Sequence, residues 1–258
     1  MKVIKELYDY REMIYSLVHR DLRGRYKGSV LGFAWTFLNP LFQLAVYTLV
    51  FSIIMRNGIK DYYLYLFVAL VPWIFFSSCV SGGAGCIRAQ GDMVKKIYFP
   101  REVIPVSYVT SQFVNMMLSL IVVFIVLVIA RKPMNPKALL CLPLIMIIEY
   151  VLALGMTMIV SSVTVYWRDV EYFMNIIAMA WQFATPVMYG LDQVPQALVP
   201  YFNMNPMTHI IVAYRDILYY GRVPQGSTLI SAVLCGIIFC LLGFALFGHL
   251  KKHFAEEL

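Results

Sequence analysis

The sequence predicts an all-α membrane protein with six transmembrane helices, and its composition and patterning carry that prediction. Hydrophobic residues make up 61% of the 258 positions and charged residues 14%, against about 25% charged residues in a soluble domain. Several apolar runs reach the roughly 20 residues that a helix needs to cross a bilayer. Charged or proline-containing segments separate these runs. The chain is therefore expected to form one polytopic membrane domain.

The N-terminal segment, residues 1–29, is predicted to hold an amphipathic helix at the membrane surface. Val3, Leu7 and Ile14 recur at helical spacing within residues 3–18, and charged residues occupy the other faces, as in helices that lie in the membrane interface. A soluble helix packed on a partner is the alternative. The charged N-terminus lacks the apolar core of a cleavable signal peptide.

The six predicted spans fall within residues 30–250, and a short tail, residues 251–258, follows them. Their approximate bounds are 30–55, 62–80, 105–130, 138–163, 172–189 and 227–250. Pro40 is expected to kink the first span, because proline removes one helical hydrogen bond. The glycine-rich stretch 81–85 is expected either to pack closely or to unwind.

The most charged internal segment is residues 91–105, within the longer connection 88–105. It carries Lys95 and Lys96, and its two prolines, Pro100 and Pro105, forbid one continuous helix. Because charges and unpaired backbone groups cost several kcal/mol each in hydrocarbon, this segment must lie in water. It is either an element that docks onto a soluble partner or an ordinary basic loop.

The segment 191–225 is too interrupted to be a span, because Pro195, Pro200 and Pro206 divide it. Two short helices are predicted here, at 196–202 and 208–219, dipping partly into the outer leaflet. Irregular backbone survives at membrane depth only where protein or a wet cavity surrounds it. The sequence therefore predicts a broken outer element rather than a plain loop.

The Lys and Arg residues predict the orientation. With the N-terminus inside, 14 of the 21 Lys and Arg residues lie on the inner side. Seven are in the N-terminal tail, four lie between Arg88 and Arg101, Arg168 follows, and two are at the C-terminus. Since inner loops carry the excess of basic residues, both termini and residues 91–105 are expected in the cytoplasm.

Several function classes lack support in the sequence. No phosphate-binding loop of the type GxxxxGK followed by Ser or Thr is present, and the five cysteines and four histidines show no metal-ligand spacing. A membrane enzyme would need a cluster of acid, base or metal-binding groups. The nearest pairs are Asp169 with Glu171 and Arg215 with Asp216, and neither makes a convincing set.

Two kinds of residue inside the predicted spans are candidates for function. Glu149 is the one ionisable acid at hydrocarbon depth, and it is either functional, as in an ion-coupled carrier, or a hydrogen-bonded residue at a helix contact. Aromatic rings offer an apolar face with a polar tip, which suits a flat, hydroxyl-rich substrate. The aromatic candidates are Trp73, Tyr150, Trp181 and Tyr189, with core packing or an interfacial belt as the alternative.

Three stretches, spread over nearly the whole chain, share the pattern of one family. They are RDLRGRYKGSVLGFAWTFLNP at 20–40, KIYFPREVIP at 96–105, and a third group of RDV at 168–170, ATPVMY at 184–189 and NPMTHIIVAYRD at 205–216. In these stretches the chain resembles the permease subunits of ABC transporters that export lipid-linked polysaccharides across the bacterial cytoplasmic membrane. That family handles O-antigen, capsule, teichoic acid and rhamnose-rich polymers, and the resemblance does not identify the polymer.

The resemblance implies a homodimer of this chain with two copies of a separate ATP-binding subunit. ATP and Mg would bind the partner, so this chain would hold no cofactor and would catalyse no reaction. The implied coupling residues are Met93, Lys95, Lys96, Tyr98, Phe99, Pro100, Arg101 and Glu102. The implied outer gate comprises Asn205, Pro206, Tyr214, Arg215 and Asp216. Candidates for contact with a lipid diphosphate headgroup are Arg23, Arg25, Lys27 and Arg88, with simple topology and phospholipid contact as the alternative.

Three other functions stay open at this point. One is a membrane-embedded lipid-sugar enzyme, and another is an ion-coupled carrier that depends on Glu149. The third is an ABC permease for drugs or small lipids. Such permeases often carry a large insertion between the first two spans, whereas the connection here is only residues 56–61.

Overall fold

The computed structural model describes residues 2–24, 28–54 and 58–258, and within these ranges the chain is helical with no strand. Five helical segments of the described chain are long and apolar enough to cross a membrane: Gly32–Ser52, Tyr62–Ala84, Val103–Ile129, Pro136–Tyr166 and Gly226–His253. The all-α class is confirmed.

The described residues form thirteen α-helices, numbered here in chain order. They are α1 Lys2–Asp9, α2 Arg11–Gly24, α3 Trp35–Thr48, α4 Tyr62–Ala84, α5 Gly91–Lys96, α6 Val103–Ile129, α7 Pro136–Leu139, α8 Leu142–Tyr166, α9 Val170–Phe183, α10 Val199–Met204, α11 Pro206–Leu218, α12 Gly226–Leu250 and α13 Phe254–Glu257. Short 3₁₀ turns precede α3, α5 and α13 and follow α9, and a π-helical turn, Leu49–Ile54, extends α3.

The predicted N-terminal helix is divided into α1 and α2, which meet at Tyr10. The apolar side of α2, with Met13, Ile14 and Leu17, packs against the bundle, mainly against α6. Asp21 on α2 also accepts a hydrogen bond from Ser111 on α6. The apolar face of this helix is therefore partly covered by the chain's own third span.

Pro40 lies inside α3, which continues as an α-helix to Thr48. Because proline has no backbone N–H, the carbonyl of Thr36, four residues earlier, loses its helical partner. The hydroxyl of Ser119 on α6 approaches that carbonyl at 3.4 Å. The proline thus frees a group through which α3 is attached to α6.

Helices α8 and α12 pack with their backbones in contact through glycines. A Cβ atom added to Gly155 would lie 2.5 Å from backbone atoms of Phe239 and Cys240, and one added to Gly243 would lie 2.4 Å from the Gly155 carbonyl oxygen. Small residues permit such close approach between transmembrane helices. Gly83 on α4 packs similarly on Thr157, since an added Cβ would lie 2.7 Å from its Cγ2. The stretch 81–85 therefore packs closely, and α4 stays helical through Ala84.

The bundle has two ends, named here the α5 end and the α11 end. At the α5 end, Arg88 pairs with Glu171 at 3.2 Å, and the Tyr166 hydroxyl donates to the Leu250 carbonyl at 2.8 Å. At the α11 end, Lys132 pairs with Asp61 at 2.9 Å. The helices therefore alternate in direction between the two ends.

The predicted fifth span is shorter than a full crossing. Helix α9 has 14 residues, about 21 Å at 1.5 Å per residue, whereas the hydrocarbon core is about 30 Å thick. The chain continues beyond it in turns. At the α5 end, Glu171 at the start of this segment pairs with Arg88, in the 3₁₀ turn that follows α4. At the α11 end, the Tyr62 hydroxyl donates to the Met188 carbonyl at 2.7 Å. Helix and turns together accompany α4 along its length.

Candidate functional site

The charged connection between α4 and α6 forms a short helix, α5, followed by an exposed tip, defined here as residues 95–98. The tip leaves the helix because Ile97 has extended backbone, with φ −126° and ψ 135°. All four tip residues are exposed, and the Tyr98 side chain is 97% accessible. An apolar and aromatic group held out on a structured turn is typical of a contact surface for another protein.

The base of this segment is buried against the bundle. Val94 and Phe99 are 5% and 6% exposed, so they anchor the two sides of the tip. Glu102, at 2% exposure, accepts a hydrogen bond from the ammonium group of Lys251. The Arg101 guanidinium donates to the backbone carbonyl of Lys251. The tip therefore projects from a fixed base rather than from a loose loop.

The eight predicted coupling residues fall into three groups by exposure. Lys95, Lys96 and Tyr98 are exposed, Met93, Pro100 and Arg101 are partly buried, and Phe99 and Glu102 are buried. Pro105, which was expected to help break the helix, lies instead in the first turn of α6, where a missing backbone N–H costs nothing. The break itself lies at residues 97–102.

Two of the four predicted headgroup contacts, Arg23 and Arg88, lie within the described residues. Arg23 is exposed near the end of α2, and Arg25 and Lys27 lie outside the described residues. Arg88 pairs with Glu171 beside a cavity of about 380 Å³ that Arg168, Glu257 and Leu258 also line. The two arginines are matched there by two glutamates, so the cavity offers no net positive charge for a diphosphate.

Arg215 on α11 is the centre of a buried network at the α11 end. Its side chain stacks over the Tyr65 ring at 3.7 Å and donates to the carbonyls of Val187 at 2.6 Å and Tyr189 at 3.1 Å. An arginine guanidinium stays charged at neutral pH, so these carbonyls pair with a buried charge. Arg215 therefore holds the turns after α9 against α4.

The neighbouring Asp216 is also buried and paired. Its Oδ1 accepts from the Arg222 Nε at 2.8 Å, and its own carbonyl accepts from the Arg222 backbone N–H at 2.8 Å. The Arg222 guanidinium also pairs with this carboxylate at 2.7 Å. Arg215 and Asp216 thus serve separate contacts and do not form a catalytic pair with each other.

Asn205 is the N-cap of α11, and Pro206 is its first residue. Asparagine is a favoured N-cap, and proline suits the first helical position. The Asn205 Oδ1 accepts from the Met207 N–H at 3.0 Å and from the Trp181 indole N–H at 3.0 Å. Its amide donates to the Ala184 carbonyl at 3.0 Å and to the Thr185 hydroxyl at 2.8 Å. One side chain therefore joins α9 to α11.

Glu149 is fully buried on α8, where its Oε2 accepts a hydrogen bond from the Tyr214 hydroxyl at 2.7 Å. This contact joins α8 to α11. The arrangement matches the alternative of a hydrogen-bonded residue at a helix contact. It also accounts for the burial of Tyr214, one of the predicted gate residues.

The aromatic residues predicted for a substrate path pack against other side chains. Trp73 is 2% exposed, and both Trp73 and Trp181 contact Phe76, at 5.8 and 5.2 Å between ring centroids. Tyr150 shares a hydrogen bond with Thr110 at 2.8 Å. The half-buried Tyr189 donates its hydroxyl to the Phe183 carbonyl. Each of the four therefore contacts other groups of the described chain.

A different cavity, of about 250 Å³, lies between α3, α4 and α6. Its hydrogen-bonding side chains are all uncharged, and two aromatic rings border it. They are Thr36, Asn39, Ser78, Gln112, Asn115 and Ser119, with Trp35 and Phe75. A cluster of neutral polar groups among spans either joins helices or faces a wet path.

Comparison with known proteins identifies the family. A family model described as "ABC-2 type transporter" matches residues 12–219, which is most of the chain. The chain belongs to the ABC-2 type transporter family. The matched region of this family member includes the exposed tip, the network around Arg215 and the Glu149–Tyr214 contact.

Several curated relatives match over nearly their whole length. The O-antigen export system permease protein RfbA of Myxococcus xanthus is 34% identical over 262 residues, covering 100% of both chains. The RfbA protein of Klebsiella pneumoniae is 29% identical over 247 residues, covering 96% of this chain and 95% of that protein. The polysialic acid transport protein KpsM of Escherichia coli is 23% identical over 238 residues, covering 90% and 91%.

Sequence reasoning missed two parts of this ABC-2 type chain. The sequence predicts only a short tail at residues 251–258, yet Phe254 is fully buried and Lys251 contacts the base of the tip. The signal that would have found it is a lone aromatic residue within a charged octapeptide. Asn39 and Ser78, which line the polar cavity, are not among the predicted site residues. Helical phase alone does not tell which neighbouring span a polar residue faces.

Proposed function

We propose that this chain is the membrane-spanning permease of an ABC transporter that exports a lipid-linked polysaccharide across the bacterial cytoplasmic membrane. The observation that carries the proposal is the end-to-end likeness to a protein named as an O-antigen export permease, at 34% identity over 100% of both chains. The relative named as a polysialic acid transport protein, matched at 23% identity, supports polysaccharide as the class of cargo and leaves the individual polymer undetermined.

The permease crosses the membrane six times, with both termini and the tip in the cytoplasm. Five crossings are the long apolar helices, and the sixth is α9 with the turns that follow it. Contacts at Arg88, in the 3₁₀ turn after α4, and at Tyr62, the first residue of α4, support this, since they tie the segment to the two ends of the bundle. Six crossings return the chain to its starting side, in agreement with the excess of Lys and Arg on that side. The helices α10 and α11 then dip into the outer leaflet.

The energy comes from a separate ATP-binding subunit, in a complex of two permease chains and two such subunits. ATP and Mg bind that partner, and the permease itself carries out no covalent step. The exposed tip, residues 95–98, supports a docking role because its anchors Val94 and Phe99 are buried while Tyr98 is 97% exposed. When ATP draws the two partner subunits together, the tip moves with them and shifts the spans as rigid bodies.

The polar cavity between α3, α4 and α6 lies beside the route of the sugars. Amide and hydroxyl groups from Asn39, Gln112 and Asn115 match the hydrogen-bonding groups of a glycan, and Trp35 and Phe75 match its apolar faces. The absence of charge among the cavity's lining residues suits a neutral glycan unit better than a diphosphate. This cavity joins the four aromatic candidates, Trp73, Tyr150, Trp181 and Tyr189, as a proposed sugar contact.

The deciding experiment is copurification of the tagged chain, in mild detergent, with the products of its neighbouring genes. The expected result is a stable complex with a nucleotide-binding subunit that hydrolyses ATP. Deleting the gene should in addition leave polymer inside the cell and remove it from the surface. A chain that purifies without any ATPase, from cells whose surface polymer survives the deletion, would exclude the proposed function.

A further inference from the structure

We propose that Lys251 and the C-terminal segment after α12 are the positioning elements that pass movement of the tip into the last span. This rests on the proposed coupling to an ATP-binding subunit. The contacts involved join three parts of the chain that are far apart in sequence. They are named here the C-terminal clamp, which comprises Arg101, Glu102, Tyr166, Lys251 and Phe254.

The clamp begins at the base of the tip. Glu102 is 2% exposed and accepts a hydrogen bond from the Lys251 ammonium group, while Arg101 donates to the Lys251 carbonyl. The second carboxylate oxygen of Glu102 is buried without a hydrogen-bond partner in the described chain. Because a buried carboxylate must be paired, Glu102 depends on Lys251. Two consecutive residues of the coupling segment therefore bind a single residue after α12.

Phe254 is the aromatic residue at the centre of the C-terminal clamp. It is fully buried, contacts Phe247 on α12 edge-to-face at 5.5 Å, and contacts Tyr166 at 6.3 Å. The Arg101 guanidinium lies 6.0 Å from the Phe254 ring centroid. Tyr166, at the end of α8, donates its hydroxyl to the Leu250 carbonyl at 2.8 Å. The ends of α8 and α12 and the start of α6 thus form one packed junction.

From this junction a continuous series of contacts leads to the opposite end of the bundle. Helices α8 and α12 are in backbone contact at Gly155 and Gly243, so they move as a pair. Glu149 on α8 holds Tyr214 on α11, and Arg215 of the same helix holds the turns that follow α9. Packed elements of this kind shift as units rather than deform.

The covalent route from the tip leads only into α4 and α6, which flank it in sequence. The clamp adds a second, non-covalent route into α12 and α8. The family model matches residues 12–219, so Lys251 and α12 lie beyond the matched region. The assignment therefore comes from the contacts of this chain itself.

The test uses the complete transporter with its ATP-binding subunit and measures exported polymer per ATP hydrolysed. Replacing Lys251 alone would leave a buried unpaired carboxylate, so the main variant is Glu102→Gln with Lys251→Met, which neutralises both partners. Polymer per ATP should fall about fivefold or more, the size of a typical coupling energy. The complex and its ATP hydrolysis should persist. The matched control is Lys252→Met at the exposed neighbouring position, which should behave as the parent protein.

Two further variants complete the test. The charge exchange Glu102→Lys with Lys251→Glu should restore at least about half of the lost coupling, if the pairing itself transmits movement. Phe254→Leu keeps both charges and should lower polymer per ATP in the same direction, which covers the case in which the double variant fails to assemble. An unchanged ratio in an assembled double variant, or in Phe254→Leu if the double variant does not assemble, would overturn the clamp. A parent chain without any ATPase would instead overturn the proposed function.

Discussion

The Tyr214 hydroxyl donates a hydrogen bond to Glu149 Oε2 at 2.7 Å and thereby joins α11 to α8. Both side chains are fully buried. A buried polar group is costly when it loses its partner, and between transmembrane helices such a bond contributes about 0.6–2 kcal/mol. The contact explains why a carboxyl group is found in the fourth span without assigning it to ion transport.

Replacing Glu149 with Gln should preserve export. Gln keeps an oxygen that accepts from Tyr214, so the free energy of unfolding should change by about 1 kcal/mol or less. Polymer export in cells and the unfolding midpoint in detergent are the measurements. Tyr214→Phe should lower the free energy of unfolding more than Glu149→Gln does, because it removes the hydroxyl that pairs with Glu149. Loss of export in an otherwise stable Glu149→Gln protein would favour the ion-coupled carrier instead.

Asn205 should be the most sensitive of the exposed or half-buried asparagines at the α11 end. Asn205→Ala removes the N-cap of α11 and the bonds to Trp181 and Thr185, so it should destabilise the protein by about 2 kcal/mol or more. Thermal unfolding in detergent measures this. Asn203→Ala, at an exposed side chain, is the control and should stay within about 0.5 kcal/mol. Equal effects of the two substitutions would contradict the bridging role.

Gly155→Ala should separate α8 from α12. The new Cβ atom would lie 2.5 Å from backbone atoms of Phe239 and Cys240. Unlike a side chain, the backbone has no alternative rotamer that would relieve this clash. We expect a loss of about 1–3 kcal/mol and a lower unfolding midpoint. Gly248→Ala on α12 meets no atom within 4 Å, so it should be neutral or slightly stabilising, since alanine favours helix. A neutral Gly155→Ala would refute the backbone contact.

The sequence predicted the helices better than their contacts. The lengths of the apolar runs predicted the bounds of the five long helices to within a few residues, because a helix in lipid needs a continuous apolar run. The predicted fifth span is different: α9 stops at Phe183, and turns that contact Arg215 and Tyr62 follow it, which no hydropathy pattern reveals. The role of Lys251 was equally out of reach, since its partners Arg101 and Glu102 lie about 150 residues earlier in the chain. Contacts between residues so far apart in sequence depend on how the helices pack, which the local sequence pattern does not determine.

Tyr98 and Phe99 are adjacent in sequence, but substituting them should affect different properties: partner binding for Tyr98 and stability for Phe99. Tyr98 is 97% exposed and Phe99 is 6% exposed. Tyr98→Ala should weaken binding of the ATP-binding subunit about tenfold or more, as aromatic interface residues do, while the unfolding midpoint of the isolated chain stays unchanged. Phe99→Ala should cost about 3–5 kcal/mol of stability, because it empties a packed site.

The two variants are compared by titrating the purified subunit onto the permease and by thermal unfolding of the permease alone. Lys96→Ala is the control for the tip, since it removes an exposed cation without removing aromatic surface. It should weaken binding less than Tyr98→Ala does. If Tyr98→Ala leaves the affinity intact and lowers the unfolding midpoint instead, the tip is a structural turn and the partner binds elsewhere.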